Sequence, residues 1–184
     1  MMKKILVVVL LAFISVSLFA QKRLYTKTGN ISFFSATSVE NIAARNNKVL
    51  CVWDIATGNI EFSVLMKGFE FEKALMQEHF NEDYVESDKY PKATFKGTIE
   101  NSNAISLSTD KSNSVKVTGT LTMHGVSKQI STTAIIKVNK LVASATATFT
   151  ILLSDFNIKI PSVVTANISK TISLSINIPA FIAQ

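Results

Sequence analysis

Cysteine is almost absent: the 184-residue chain has one, Cys51. A single thiol excludes a disulfide scaffold and a multi-cysteine zinc site. Three Pro and six Gly are too few for collagen-like or low-complexity sequence. Charged residues make up 17% and apolar residues 47%, a balance that excludes a disordered chain. No run of five or more Lys/Arg occurs, so nucleic acid binding has no electrostatic footprint. The only histidines are His79 and His124. They are far apart, and no carboxylate pair accompanies them at ligand spacing, so neither a metal nor another cofactor is expected. No Gly-rich phosphate loop and no nucleophile elbow is present. Cys51 sits in an apolar run ending at Trp53 and reads as a small buried hydrophobe. An enzyme is therefore not expected.

Phenylalanine is abundant, with 12 residues beside one Trp and three Tyr. These rings have no polar handle and must pack in a core or around an apolar guest. The N-terminus has its own pattern. Lys3 and Lys4 precede the apolar stretch from Ile5 to Ile14, and small residues follow up to Ala20. This is a secretory signal pattern, and the apolar stretch is short of the ~20 residues of a spanning helix. Residues 1–20 are expected to be a signal peptide and residues 21–184 the mature domain, periplasmic or secreted and not stably inserted in a membrane. Removing two of the 19 Lys/Arg leaves 17 bases against 13 acids, or +4. Nine of those acids fall between Asp54 and Asp88.

The mature chain reads as successive strands. Ile168 to Ile178 alternates apolar and polar residues, as do Val115 to Met123 and Leu141 to Leu153; period two marks strands with one buried face. Gly119 lies on the apolar face of its strand and suggests a bend or a close approach. Ile31, Phe33 and Ser35 share a face after a Gly29-Asn30 turn signal. Val49 to Asp54 and Ile60 to Met66 form a hairpin across Thr57-Gly58-Asn59. Thr94 to Glu100 is a further strand, and Val126 to Val138 pairs with the strand before it through His124-Gly125. Phe71 to Phe80 is the exception. Its apolar residues, with His79, fall at helical spacing, Glu70 and Glu72 suit the start of a helix, and Asn81 can end it. About eight antiparallel strands imply an all-β barrel or a two-sheet sandwich, and closure leaves no sheet edge exposed.

Three stretches carry a family resemblance: Phe80 to Gly97, with its Tyr90-Pro91 step and Phe95; Val117 to Ile130, containing Gly119-Thr-Leu-Thr-Met-His-Gly-Val126; and Ser154 to Ile158, with Asp155-Phe156. In this order and spacing they resemble the YceI-like family. The sequence departs from that family at Asn157, where Gly is usual. It also departs at Gly29 to Phe33, which lacks a His, and at Gln77 to Phe80, where Asp-x-His-Leu is usual. The resemblance implies a secreted, lipocalin-like antiparallel barrel of about eight strands with one short α-helix across it. It implies a polyisoprenoid or other long-chain lipid held inside, no catalysis, and pairing into homodimers in some members.

The residues themselves mark a lumen that could take such a guest. Ala143, Ala145 and Ala147 share a face and leave volume, while Phe33, Phe62, Phe95 and Phe149 supply rings. Val117, Leu121, Met123, Ile172 and Leu174 complete the expected wall. Each buried methylene contributes roughly 0.8 kcal/mol. The same residues could instead fill a dry core. Phe69, Phe71, Leu75, Met76 and Phe80 can form a lid or simple helix-on-barrel packing. Three alternatives stand beside a lipid carrier: an outer-membrane barrel, weakened by the lack of aromatic girdles; a dry scaffold that binds other proteins; and an enzyme using His124, for which no partner residue can be named.

Overall fold

A computed structural model describes residues 23–183; the expected signal peptide lies outside the described residues. Ten strands form one antiparallel sheet. In chain order they are β1 (Arg23–Ala36), β2 (Asn41–Asp54), β3 (Asn59–Leu65), β4 (Glu70–Phe71), β5 (Lys92–Ile99), β6 (Lys111–Met123), β7 (Val126–Asn139), β8 (Val142–Leu152), β9 (Thr171–Ile178) and β10 (Ile182–Ala183). Eight of them close a ring in the order β1-β9-β8-β7-β6-β5-β3-β2, with β2 pairing back to β1. The two-residue strands β4 and β10 add to β2 and β1. Over the described residues the fold is a lipocalin-like, all-β closed barrel with one short α-helix, α1 (Ala74–His79).

Alternation sets the two faces. Inward positions such as Val117 and Ala134 are buried, while Lys116 and Thr133 beside them are exposed. The β6–β7 hairpin turns on His124 (φ 50°) and Gly125 (φ 73°), the two left-handed residues that a tight two-residue turn demands. Gly97 and Gly119 face each other across β5 and β6. A Cβ on either would lie 2.6 Å from the Phe95 ring tip. The pair of glycines therefore makes the space in which that ring lies, which is the close approach expected at Gly119.

Several local expectations need correction. Gly29-Asn30 is not a turn: β1 runs through it, with register shifts on both sides of Gly29. A side chain at Gly29 would meet the Ile178 Cδ1 at 2.7 Å, so the glycine serves a bulge and a close approach. The strand expected from Ile168 starts at Thr171, and Leu141 belongs to a turn with Lys140, both at positive φ. β2 begins at Asn41, well before Val49. Its polar start hides a fully buried Asn46, which donates Nδ2 to the Leu65 carbonyl at 2.9 Å and accepts from the Lys48 N–H at 3.0 Å.

The helix is shorter than expected and differently bounded. Phe71 is in β4, Lys73 precedes the first turn without a side-chain cap, and no acid lies in that turn. Asn81 does not end the helix. The chain continues as a π-helical turn, Phe80–Tyr84, and the Asn81 Nδ2 donates back to the Gln77 carbonyl at 2.8 Å. No residue of α1 is buried.

Candidate functional site

Two apolar clusters fill the barrel from opposite ends. The floor cluster gathers Trp53, Ile60, Ile136, Val138, Ala143, Ile178 and Phe181. Trp53 is fully buried, and its indole N–H donates to the Ser102 hydroxyl at 2.9 Å, which in turn donates to the Ile55 carbonyl at 2.9 Å. That relay satisfies the one polar atom of the largest core ring. The second cluster, at the helix end, contains Ile31, Val64, Met66, Phe69, Phe156 and Ile172. Phe62, Leu121 and Ile176 touch both clusters, yet are only half-buried. Inward side chains that retain accessible surface border empty space rather than neighbours.

That space is a cavity of about 390 Å³, within the range of small-molecule sites. All eleven residues expected on the lumen wall border it: Phe33, Phe62, Phe95, Val117, Leu121, Met123, Ala145, Ala147, Phe149, Ile172 and Leu174. Ala145 and Ala147 are half-buried, whereas Ala143, two residues earlier, is packed into the floor and does not border this cavity. Ala143 thus contributes close packing and not volume. Trp53 and Phe181 close the cavity below, their rings 5.6 Å apart.

At the helix end four rings meet. Phe33 lies 5.5 Å from Phe69, 5.6 Å from Phe71 and 5.5 Å from Phe80, while Phe71 and Phe80 are 5.0 Å apart. Phe69, Phe71, Met76 and Phe80 border the cavity, whereas Leu75 is 61% exposed and faces away from it. Glu40 borders the cavity here too. It accepts from the Lys73 ammonium at 3.1 Å and from the Asn167 amide at 3.2 Å. The bond from Lys73, then that from Asn167, holds its carboxyl below the ordinary range. One side chain thus ties the β1–β2 turn to the start of α1 and to the loop before β9. Glu40, Asn167 and Ile168 were not legible as neighbours because they come from loops far apart in sequence.

Among the described residues, no Lys or Arg borders the cavity, and Glu40 is its one carboxylate. Tyr84 also lines it, and burial, then the Asp83 charge, pushes its phenol above the usual value. Cys51 is fully buried, and burial pushes its thiol well above the ordinary range, which describes an inert packed thiol.

His124 does not border the cavity. Its Nδ1 lies 2.9 Å from the Phe156 carbonyl oxygen and its Nε2 2.8 Å from a Glu86 carboxylate oxygen. Both partners are acceptors, so only the doubly protonated ring donates to both. The Tyr90 ring stands edge-on to the imidazole at 4.8 Å, and a Cβ at Gly125 would meet that ring at 2.7 Å. The three sequence stretches that carry the family resemblance therefore converge on one structural knot. Asn157, where the family has Gly, sits at φ 56°. Asn tolerates this left-handed conformation better than other side chains, so the departure preserves the turn that brings Phe156 inward.

These features define a lipocalin-like barrel with an apolar internal cavity. The YceI-like domain family model matches residues 18–180, and the chain belongs to that family. Similar solved structures share the fold at low identity. A polyisoprenoid binding domain from Saccharophagus degradans implicated in plant cell wall breakdown is 15% identical, with TM-score 0.77 over 89% of this chain and 99% of that one. Burkholderia cenocepacia BcnA is 17% identical, with TM-score 0.68 over 84% and 96%. The Campylobacter jejuni YCEI protein is 22% identical, with TM-score 0.59 over 77% and 84%. No curated protein matches the chain by sequence.

Proposed function

We propose that the protein is a periplasmic or secreted, non-catalytic carrier that holds a polyisoprenoid or other long-chain amphiphile inside its barrel. One observation carries this reading: the cavity is walled almost wholly by apolar side chains and is closed below by Trp53 and Phe181. Such a space favours an alkyl or prenyl chain, because each methylene moved from water into it contributes roughly 0.8 kcal/mol. The eleven wall residues named above are the proposed contacts. The name of the Saccharophagus degradans neighbour, a polyisoprenoid binding domain, supports the ligand class. Secretion rests on the Lys3-Lys4 start and the apolar stretch after it, with cleavage after Ala20 and no stable membrane insertion of the mature chain. Among the described residues no helix is long and apolar enough to cross a membrane, and the apolar strand faces point inward.

The test is native mass spectrometry of protein expressed with its leader and purified from the periplasm without detergent. The expected result is processing at Ala20 and about one equivalent of a bound prenyl or acyl compound, identified after organic extraction. Protein that arrives empty and also fails to bind added prenyl and acyl chains overturns the carrier reading and leaves a dry scaffold.

A further inference from the structure

The cavity reaches the protein surface at α1, where His79 borders it and is exposed. Three segments frame this mouth: the β1–β2 turn, the start of α1 and the loop before β9. They are fastened to one another. Glu40 holds Lys73 and Asn167, and the Ser169 N–H donates to the Ser35 hydroxyl at 2.9 Å. Each segment repeats one arrangement. Glu40, Met76 and Val164 border the cavity, and the residue before each, Val39, Leu75 and Val163, is exposed. All three are more than half exposed, and Val163, at 88%, is the most exposed large apolar side chain among the described residues.

A single exposed apolar side chain is ordinary, but three on the rim of one apolar cavity mark an interaction surface. The tips are held from behind. The Thr37 hydroxyl accepts from the Val39 N–H at 3.2 Å and the Glu40 N–H at 3.0 Å. The Met76 N–H donates to the Lys73 carbonyl, and the Val164 N–H to the Pro161 carbonyl, both at 3.1 Å. These backbone groups therefore have partners without water. Residues 31–39 and 160–169 include no charged side chain, and the charges that flank them and α1 are of both signs: Glu40, Glu72 and Glu78 against Lys73, Lys159 and Lys170. Such a rim has no basic excess to draw it to an anionic surface, and mixed charge suits a layer of zwitterionic head groups. Two valines and a leucine fall well short of the roughly 800 Å² per partner of a stable protein interface. A fluid lipid surface, in contrast, takes up separate apolar tips without matching their shape.

We propose that this rim is a membrane-docking surface: Val39, Leu75 and Val163 dip into a zwitterionic lipid surface and set the mouth of the cavity against it, so that an apolar chain passes between bilayer and barrel without crossing water. The docking is peripheral and reversible, since only side chains enter. Its use rests on the carrier reading; the surface itself does not. Leu141, on the β7–β8 turn at the floor end, is also more than half exposed. It stands beside Lys140, away from the mouth, and serves as the control.

The experiment is flotation of the full-length secreted protein with phosphatidylcholine vesicles. The protein should float with the vesicles. Val39→Ser, Leu75→Ser and Val163→Ser together should lower its partition coefficient at least about tenfold, while Leu141→Ser should not change it. High salt should leave partitioning unchanged, because screening weakens only charge attraction. Wild-type protein that stays off the vesicles, an equal loss with Leu141→Ser, or binding that needs phosphatidylglycerol and disappears in high salt overturns the proposal. A second measurement does not depend on a loss. An environment-sensitive dye is attached to Val163→Cys or, separately, to Leu141→Cys; the native Cys51 is fully buried and does not compete. Vesicles should shift the emission to the blue at position 163 and not at 141, and the reverse, or no shift at either, overturns the proposal. Uptake of a hexadecyl amide in vesicle-free solution keeps the two readings apart. Protein that docks but takes up no alkyl chain loses the carrier reading and keeps the docking surface. A triple variant that binds the amide like wild type yet no longer floats confines the defect to the rim, as the proposal requires.

Discussion

The floor and the upper half of the barrel are built from similar residues, yet one is packed and the other is hollow. In the floor, Trp53 and Ile178 are fully buried and Ala143 is 1% exposed. Higher up, Ala145 and Ala147 stand on the same strand face and remain half-buried. The difference is one of volume matched to position. A tryptophan and the Phe181 ring fill the narrow end, so an alanine there closes a gap. Mid-barrel, Ala145 and Ala147 border the cavity together with half-buried Leu121 and Ile176, and space remains. Hydrophobicity alone does not decide between a core and a pocket; the sum of volumes across facing positions does.

The largest effect should come from removing the floor. Trp53→Ala is expected to destabilise the fold by about 3–5 kcal/mol, seen as a lower denaturation midpoint with an unchanged slope. Phe80→Ala removes a half-buried ring at the hollow end and should cost less than half as much. Equal losses would mean that the two ends are equally packed. The His124 knot gives the next effect. His124→Ala leaves the Glu86 carboxylate and the Phe156 carbonyl without that partner, and about 1–3 kcal/mol should be lost. Affinity for an alkyl chain, measured well below the unfolding transition, should stay within a factor of about three. A catalytic or ligand-binding histidine would behave oppositely, with stability kept and function lost.

Filling the hollow separates the ends most cleanly. Ala147→Phe should abolish binding of a hexadecyl amide in a fluorescence displacement assay and leave the denaturation midpoint unchanged or raised. Ala143→Phe at the floor should instead overpack the core and cost about 1–3 kcal/mol. The smallest effect is a pH dependence at the helix end. The Glu40 carboxyl is held below its ordinary value by Lys73 and Asn167. Its contribution is therefore present above the unfolded-state carboxylate pKa and fades as pH falls through the depressed folded value. The protection factors of the α1 amides, taken against the intrinsic exchange rate at each pH, should fall on acidification, and Glu40→Gln should remove that dependence.

The barrel, the helix and the lumen wall were legible because they are local, periodic patterns. Period two along Thr171–Ile178 points to an inward face whatever lies opposite. The misread places are those where a tertiary partner overrides the local signal. Gly29 looks like a turn until Ile178 is seen pressing on it. Asn46 looks like a surface residue until the Leu65 carbonyl accepts its bond. Ala143 and Ala147 cannot be told apart by sequence, since what distinguishes them is tertiary packing: one is closed into the floor cluster and the other borders the cavity. Motif resemblance also misdirects attention, since its most specific residues, from Gly119 to Val126, include the turn that builds the His124 knot rather than the cavity.

The central claim is that the upper barrel is an apolar hollow of finite length. The most direct measurement is a titration of the purified protein with uncharged N-alkyl amides of increasing chain length at fixed head. The account predicts that affinity rises about fourfold per added methylene, the equivalent of ~0.8 kcal/mol, until the cavity is full, and then levels off. Ala147→Phe should bring that plateau to a shorter chain or erase binding. An affinity independent of chain length, or one that climbs without a plateau and ignores Ala147→Phe, would mean that the chain lies on the outside of the protein and would contradict the account.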